Sequence, residues 1–229
     1  MAIHELRTYR LARGAGIDAM ARFFHGDGRT DYRAALREAG IPFVAGWRTA
    51  SIAAGAAEEF VWIRAFENGI HKQEACDRLY GSQLWKDKLK REAEEIVTEV
   101  ATVDLTPLEA RELLAGPRAR GLHELRHYRL AANALPRMLA FFEDVRRLMP
   151  KHGVRVLAWW AAEVDGSERF LWLREFESPE HKARAFPQIY ESDLWRTQFK
   201  PRAVGLIEER ILADLEPIPA ERLGGHDPL

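Results

Sequence analysis

The feature that most constrains this chain is an internal repeat. Eight residues from His4, HELRTYRL, return from His123 as HELRHYRL, so the two segments differ only at Thr8 and His127. Further blocks match in the same order in both halves: Phe60–Glu67 with Phe170–Glu177, His71-Lys72 with His181-Lys182, Leu79–Trp85 with Ile189–Trp195, and Asp104-Leu105 with Asp214-Leu215. This conserved order indicates a tandem duplication, and each half is expected to form one supersecondary unit.

The hydrophobic periodicity of each half predicts six elements in the order β-α-β-β-α-β, which is the ferredoxin-like arrangement. The first half is expected to contain a strand Ile3–Leu11, a helix Ile17–Ala39, strands Phe43–Ala53 and Glu59–Glu67 joined by a turn at Gly55, a helix His71–Glu94 and a strand Ile96–Leu105. Residues 122–215 repeat this order. The predicted fold class is therefore α+β, with two tandem ferredoxin-like units.

The predicted domains are 1–107 and 121–217, joined by a linker at 108–120 and followed by an irregular tail at 218–229. A short helical piece, Leu108–Leu114, is expected in the linker before the turn Gly116-Pro117. The first helix of the first half is interrupted by His25-Gly26-Asp27-Gly28-Arg29, which has no counterpart in the second half. This insertion is either a pocket-lining loop or a tolerated surface insertion.

Composition excludes several classes of protein. The 34 Lys and Arg residues nearly balance the 35 Asp and Glu residues, so no general attraction to nucleic acid or an anionic membrane is expected. Cys76 is the only cysteine, which excludes an intrachain disulfide and a Cys-rich zinc site. No apolar run approaches the ~20 residues of a membrane span, and the first predicted strand leaves no room for a signal peptide. The expected location is the cytoplasm.

Four short motifs together resemble the NIPSNAP family. They are E-L-R-x-Y from Glu5, G-W at Gly46, W-x-R-x-F-E from Trp62, and L-W at Leu84. Each half looks like one NIPSNAP domain, although Ala158-Trp159-Trp160 stands in the second half where the first has Ala45-Gly46-Trp47. The resemblance implies the dimeric α+β barrel superfamily, with the two ferredoxin-like units of this single chain supplying both halves of one barrel. It does not imply a particular reaction.

Charged and aromatic residues share one face of two strands in each predicted sheet. Successive side chains of a strand point to opposite faces, so Glu5, Arg7 and Tyr9 lie together. A ferredoxin-like sheet places its first and third strands side by side, which brings this face next to Trp62 and Arg64. With one tyrosine from each second helix, the candidate pocket residues are Glu5, Arg7, Tyr9, Trp62, Arg64 and Tyr80 in the first half and Glu124, Arg126, Tyr128, Trp172, Arg174 and Tyr190 in the second.

Two interpretations of these clusters stay open. In the first, Glu5 forms a structural ion pair with Arg7 or Arg64, because an unpaired charge in the interior is costly. In the second, the arginines bind a carboxylate or other anion and the aromatic residues hold an apolar body. The pairs Tyr80 with Trp85 and Tyr190 with Trp195 are similarly open: they are core residues, or the tyrosine hydroxyl reaches a pocket.

The histidines give weaker signals. His71 and His181 are expected to be solvated at helix starts, and the alternative is an acid–base or haem-ligating role. His123 and His127 are about 13 Å apart along a strand and cannot share a metal ion. No metal or cofactor is predicted, while haem is not excluded.

Two functions follow from these observations. The first is a small-molecule enzyme or binding protein, oxygenase- or isomerase-like, of the barrel type that the resemblance implies. The second is a non-catalytic scaffold or interaction module that forms homo-oligomers through exposed sheet edges. A cavity of at least ~300 Å³ lined by an arginine and a tyrosine favours the first. A filled interior with every arginine paired to a glutamate favours the second.

Overall fold

The computed structural model describes residues 1–26, 31–50, 57–115 and 121–225. The fold is mixed α+β, as predicted. The chain divides into two compact units, Met1–Thr106 with Pro217–Leu229, and Pro107–Glu216. Within the described ranges, no helix is long and apolar enough to cross a membrane.

The first unit has an antiparallel sheet with strand order β4-β1-β3-β2. Its strands are β1 (Ile3–Leu11), β2 (Phe43–Thr49), β3 (Glu59–Phe66) and β4 (Val97–Glu109). Its helices are α1 (Gly16–His25), α2 (Tyr32–Glu38), α3 (Gly69–Gly81) and α4 (Lys90–Ile96), with a π-helical turn at Trp85–Leu89 before α4. The predicted turn at Gly55 lies outside the described residues.

Capping side chains explain where the predicted long helices divide. The predicted helix Ile17–Ala39 is two helices, and Asp31 starts the second by accepting a hydrogen bond from the Ala34 amide at 3.0 Å. The predicted helix His71–Glu94 breaks at Ser82, whose Oγ accepts a hydrogen bond from the Trp85 amide at 3.1 Å. In both places a side-chain oxygen satisfies an amide that the preceding helix cannot.

The second unit repeats this plan with strand order β8-β5-β7-β6. Its strands are β5 (Leu122–Leu130), β6 (Arg155–Val164), β7 (Ser167–Phe176) and β8 (Ile207–Pro217). Its helices are α5 (Arg111–Leu114), α6 (Leu135–Leu148), α7 (Pro179–Tyr190) and α8 (Lys200–Ala203), with a 3₁₀ turn at Met149–His152 and a π-helical turn at Trp195–Phe199. In contrast to the first unit, α6 continues without interruption past Phe142.

The strand register confirms that the first and third strands of each predicted unit are neighbours. Glu5 lies opposite Arg64, and Glu124 lies opposite Arg174. The sheet face that carries Tyr9 and Trp62 packs with the helices in the buried core of the first unit. The predicted face assignment therefore places the charged residues between sheet and helices.

The C-terminal segment contributes to the core of the first unit. A 3₁₀ turn, Ala220–Leu223, follows β8, and Leu223 is fully buried. Leu223 lies over Gly46, where an added Cβ would stand 2.9 Å from Leu223 Cδ1. The equivalent position in the second unit, opposite Trp172, is Trp159. A glycine at position 46 therefore provides the space for Leu223.

Candidate functional site between sheet and helices

In the first unit, Glu5 pairs with three cations. Its Oε1 accepts hydrogen bonds from Arg7 Nη1 at 2.5 Å and Arg64 Nε at 2.9 Å. Its Oε2 lies 2.6 Å from Lys72 Nζ at the start of α3, and Lys72 also pairs with Asp104. The Glu5 side chain is only 3% exposed, so its charge is compensated by the protein rather than by water.

The second unit builds the same cluster around Glu124. Arg174 donates to Glu124 Oε1 at 2.8 Å, and Arg126 also pairs with this carboxylate. Lys182 lies 2.6 Å from Glu124 Oε2 and pairs with Asp214. Each cluster therefore combines three cations with two carboxylates.

The clusters strongly favour ionised glutamates. Burial acts to raise the pKa of Glu5, but Arg64, Lys72 and Arg7 outweigh it and lower the pKa to about 2. Burial likewise opposes the charge of Glu124, while Arg174, Arg126 and Lys182 lower its pKa to about 2. Neither glutamate can serve as a general base near neutral pH, because such a base needs a pKa near the working pH.

Lys72 and Lys182 were missed as site residues. Their signal was the repeated His-Lys pair and the repeated aspartates Asp104 and Asp214. Repetition showed that these residues mattered to both halves. It did not show that the start of α3 or α7 lies against the carboxylate.

Tyr80 and Tyr190 connect the helices to the clusters. Arg64 Nη1 donates to the Tyr80 hydroxyl at 3.2 Å, and Arg174 Nη1 donates to the Tyr190 hydroxyl at 2.8 Å. Each tyrosine ring also packs edge-on against its tryptophan, Trp85 or Trp195. Both rings pack beside the core and both hydroxyls accept from an arginine; Tyr190 also lines a cavity of the second unit, whereas Tyr80 does not line the groove of the first.

The second unit contains a cavity of about 500 Å³ between its sheet and helices. Its polar lining residues are Arg126, Tyr128, Tyr190, Lys200 and Arg210. Its apolar lining includes Met138, Phe141, Phe142, Val145, Trp172 and Trp195. The predicted residues Glu124 and Arg174 do not line this cavity; they support Arg126 and Tyr190, which do.

The cavity presents oriented hydrogen-bond donors. The Tyr128 hydroxyl accepts from Arg126 Nη1 at 3.0 Å, and the Tyr190 hydroxyl accepts from Arg174. Each hydroxyl proton is therefore available to an acceptor other than these arginines. Burial raises the pKa of Tyr190, which keeps this donor protonated. Among the described residues that line the cavity there is no carboxylate or imidazole, so its polar lining consists of hydrogen-bond donors and cations.

In the first unit, a groove of about 380 Å³ is lined by residues of α1 and α4 such as Phe23, Glu92 and Ile96. Arg7, Tyr9, Trp62 and Tyr80 do not line it. It is therefore not the counterpart of the cavity in the second unit.

The repeated histidines hydrogen-bond to the backbone at the starts of α3 and α7. Nδ1 of His71 accepts a hydrogen bond from the Glu67 amide, and Nδ1 of His181 accepts one from the Glu177 amide. Nε2 of His181 lies 2.9 Å from the His152 carbonyl oxygen. Neither histidine lines the cavity, and the described residues contain no group of three or more His, Cys, Asp or Glu side chains that could hold a metal ion. Both histidines are half-buried residues at the starts of these helices.

Comparison with solved structures shows the fold class. An anthrone oxidase-like protein matches with a TM-score of 0.61 and 11% identity, covering 95% of this chain and 91% of that one. A candidate monooxygenase from Fusobacterium nucleatum subsp. nucleatum matches with a TM-score of 0.57 and 6% identity, covering 95% and 92%. These likenesses place the chain in the dimeric α+β barrel fold class. At such identities they show the fold alone.

Membership of the NIPSNAP family is not established by these comparisons. No family model matches the chain, and no curated protein matches it. A NIPSNAP domain protein from Burkholderia xenovorans is similar to 43% of this chain, which covers 95% of that one, with 21% identity and a TM-score of 0.38. A score this low carries no conclusion about family.

Proposed function

We propose that this protein binds a small molecule with an aromatic body and an anionic oxygen in the cavity of its second unit. The supporting observation is the cavity of about 500 Å³ lined by Arg126, Tyr128 and Tyr190. Its volume lies within the range of about 300–1,000 Å³ of ligand pockets. The guanidinium and two hydroxyls would bind the oxygen, and the aromatic walls would bind the body.

The proposed activity is that of an oxygenase- or isomerase-like enzyme or a binding protein. The candidate monooxygenase and the anthrone oxidase-like protein share the fold, which supports an oxygenase among the candidate reactions only by analogy. The chemistry that this chain's own residues supply is stabilisation of an oxyanion by preorganised donors.

A thermal-shift screen of small aromatic acids and phenols, with haem included, tests this function. A ligand that binds the folded protein raises Tm, because at 100 times its Kd it adds about 2.7 kcal/mol to the free energy of unfolding. Tyr190→Phe is expected to weaken this stabilisation, because it removes a donor from the cavity. Tyr80→Phe is the matched control in the first unit and should leave the shift unchanged. Equal ligand-induced shifts in both variants would contradict the proposed site.

In the first unit, the ion pairs and the packing favour a non-catalytic, structural role for the charged cluster. Arg7 and Arg64 both pair with Glu5, and large aromatic side chains fill the core beside them. We therefore propose that the first cluster is a structural ion-pair network, while ligand binding belongs to the second unit. Association into homo-oligomers is a separate proposal, which sedimentation velocity tests directly.

A further inference from the structure

Tyr32 fills, in the first unit, the place that corresponds to the cavity of the second. Its side chain is 2% exposed. Its ring stacks on Phe23 at 4.8 Å between centroids and packs edge-on against Phe24 at 5.1 Å and Trp62 at 6.3 Å. It also lies 6.1 Å from the ring of Trp85. The repeat counterparts of these four neighbours all line the cavity: Phe141, Phe142, Trp172 and Trp195.

The counterpart of Tyr32 is Val145. Gly40 and Gly153 both have a left-handed backbone, with φ of 75° and 69°, and each lies the same number of residues before the strand position opposite Arg64 or Arg174. Counting back from these glycines without a gap aligns Tyr32 with Val145. The next residues align as Arg33 with Arg146, and each packs its guanidinium over an aromatic ring, Phe43 or Trp159. Val145 lines the cavity.

The Tyr32 ring lies beside Trp62 and Trp85, and these two rings in turn contact Arg7, Arg64 and Tyr80. Burial raises the pKa of Tyr32, Tyr9 and Tyr80 raise it further, and the guanidinium groups of Arg64 and Arg7 act in the opposite direction. The second unit presents Tyr128, Tyr190, Arg174 and Arg126 at the matching positions. The ring of Tyr32 and the cavity of the second unit thus have corresponding aromatic neighbours.

We infer that the cavity of the second unit takes a phenolic ligand, whose ring occupies the position that Tyr32 occupies in the first unit and whose oxygen faces Arg126, Tyr128 and Tyr190. This rests on the proposed function and specifies its ligand class. It also assigns one ligand site to each chain, because Tyr32 blocks the other. The cavity is larger than one phenol ring, so substituents can extend from the ring toward the exposed residues Lys200 and Arg210.

A reciprocal exchange of the two residues tests this inference. The probe is 4-methylphenol, which is the side chain of tyrosine as a free molecule. Its binding is measured by isothermal titration calorimetry. Wild-type protein is expected to bind one molecule per chain. Val145→Tyr should weaken binding at least tenfold, because the new side chain fills the site. Tyr32→Val should bind two molecules per chain, because it opens the corresponding space.

Toluene is the control for the role of the oxygen. It has the same ring and methyl group, and it should bind at least tenfold more weakly than 4-methylphenol, because it leaves the buried donors unpaired. Should Val145→Tyr fail to fold, as judged by circular dichroism, Val145→Phe fills the same volume without a hydroxyl.

The outcomes separate the ligand class from the proposed function. Unchanged binding of 4-methylphenol in Val145→Tyr and Val145→Phe would overturn the assigned position. A second outcome is that 4-methylphenol does not bind, while an aromatic acid binds to the wild type and not to Val145→Tyr. This outcome would overturn the phenolic class and leave the proposed function standing. No binding of any phenol or aromatic acid to wild-type protein would overturn both.

Discussion

At the scale of single residues, the first cluster depends on Glu5. The sequence predicted a pair between this carboxylate and one arginine, but the structure brings Arg7, Arg64 and Lys72 to it. Loss of one cation leaves the glutamate with two partners. Loss of the glutamate leaves three cations, of which Lys72 keeps the more exposed Asp104 as a partner.

Glu5→Gln is therefore expected to lower the free energy of unfolding more than Arg64→Met. Breaking a buried ion pair by removing one partner costs about 3–5 kcal/mol, and we expect this range for Glu5→Gln. For Arg64→Met we expect about 2 kcal/mol, because Glu5 keeps Arg7 and Lys72. Urea denaturation at pH 7 measures both. A larger loss in Arg64→Met would contradict the central role of Glu5.

Acid should destabilise the protein through the same two glutamates. Both have a pKa of about 2 when folded, against 4.5 ordinarily, so below pH 4.5 the unfolded chain takes up protons that the folded chain does not. The contribution of each carboxylate is full above about pH 4.5 and is lost as the pH falls toward 2. By linkage it amounts to about 3 kcal/mol for each group.

The test compares urea denaturation from pH 7 to pH 2 in wild type, Glu5→Gln and Glu124→Gln. Each variant should show a flatter fall in stability below pH 4.5 than the wild type, because one shifted group is missing. Three parallel pH profiles would show that other groups govern acid unfolding.

At the scale of elements, the 3₁₀ turn Ala220–Leu223 contributes a buried side chain, Leu223, to the core of the first unit. Leu223→Ala is expected to lower the free energy of unfolding by about 2–4 kcal/mol, because it leaves a cavity over Gly46. Leu114→Ala in α5 is the control, since Leu114 is 43% exposed and should cost less than about 0.5 kcal/mol. Similar losses in the two variants, measured by urea denaturation, would contradict this role of the turn.

The elements also show what the sequence could and could not predict. The strand faces with Glu5 and Arg7 were predictable, because a period of two residues and a repeated motif determine them. The docking of Lys72 on Glu5 depends on where α3 packs against the sheet, and no local pattern records that. The proposed ligand position depends on a valine at position 145 where the first half has Tyr32, and a valine on the buried face of an amphipathic helix gives no distinctive signal. The π-helical turns add one residue within a helix and leave the apolar pattern nearly unchanged.

At the scale of the whole molecule, the two units share one scaffold and differ in their interior. Both units keep the glutamate, two arginines, lysine and tyrosine of the cluster. The residues that both units share are therefore those that stability requires, because each sheet needs its buried charges paired. Under the proposed function, the difference at Tyr32 and Val145 determines which unit has space for a ligand. Two units of the same fold can accordingly have different roles.

The position of Cys76 has a practical consequence for spectroscopy. It is the only cysteine of the chain, it lies on α3, and its sulfur is 3.6 Å from Arg64 Nη2 beside the first cluster. A small fluorinated thiol label on this residue would give one ¹⁹F resonance that reports on the first unit alone. Phenol added to the wild type should leave that resonance in place, whereas in Tyr32→Val it should move it. The chain thus carries a natural attachment point that distinguishes its two otherwise similar halves.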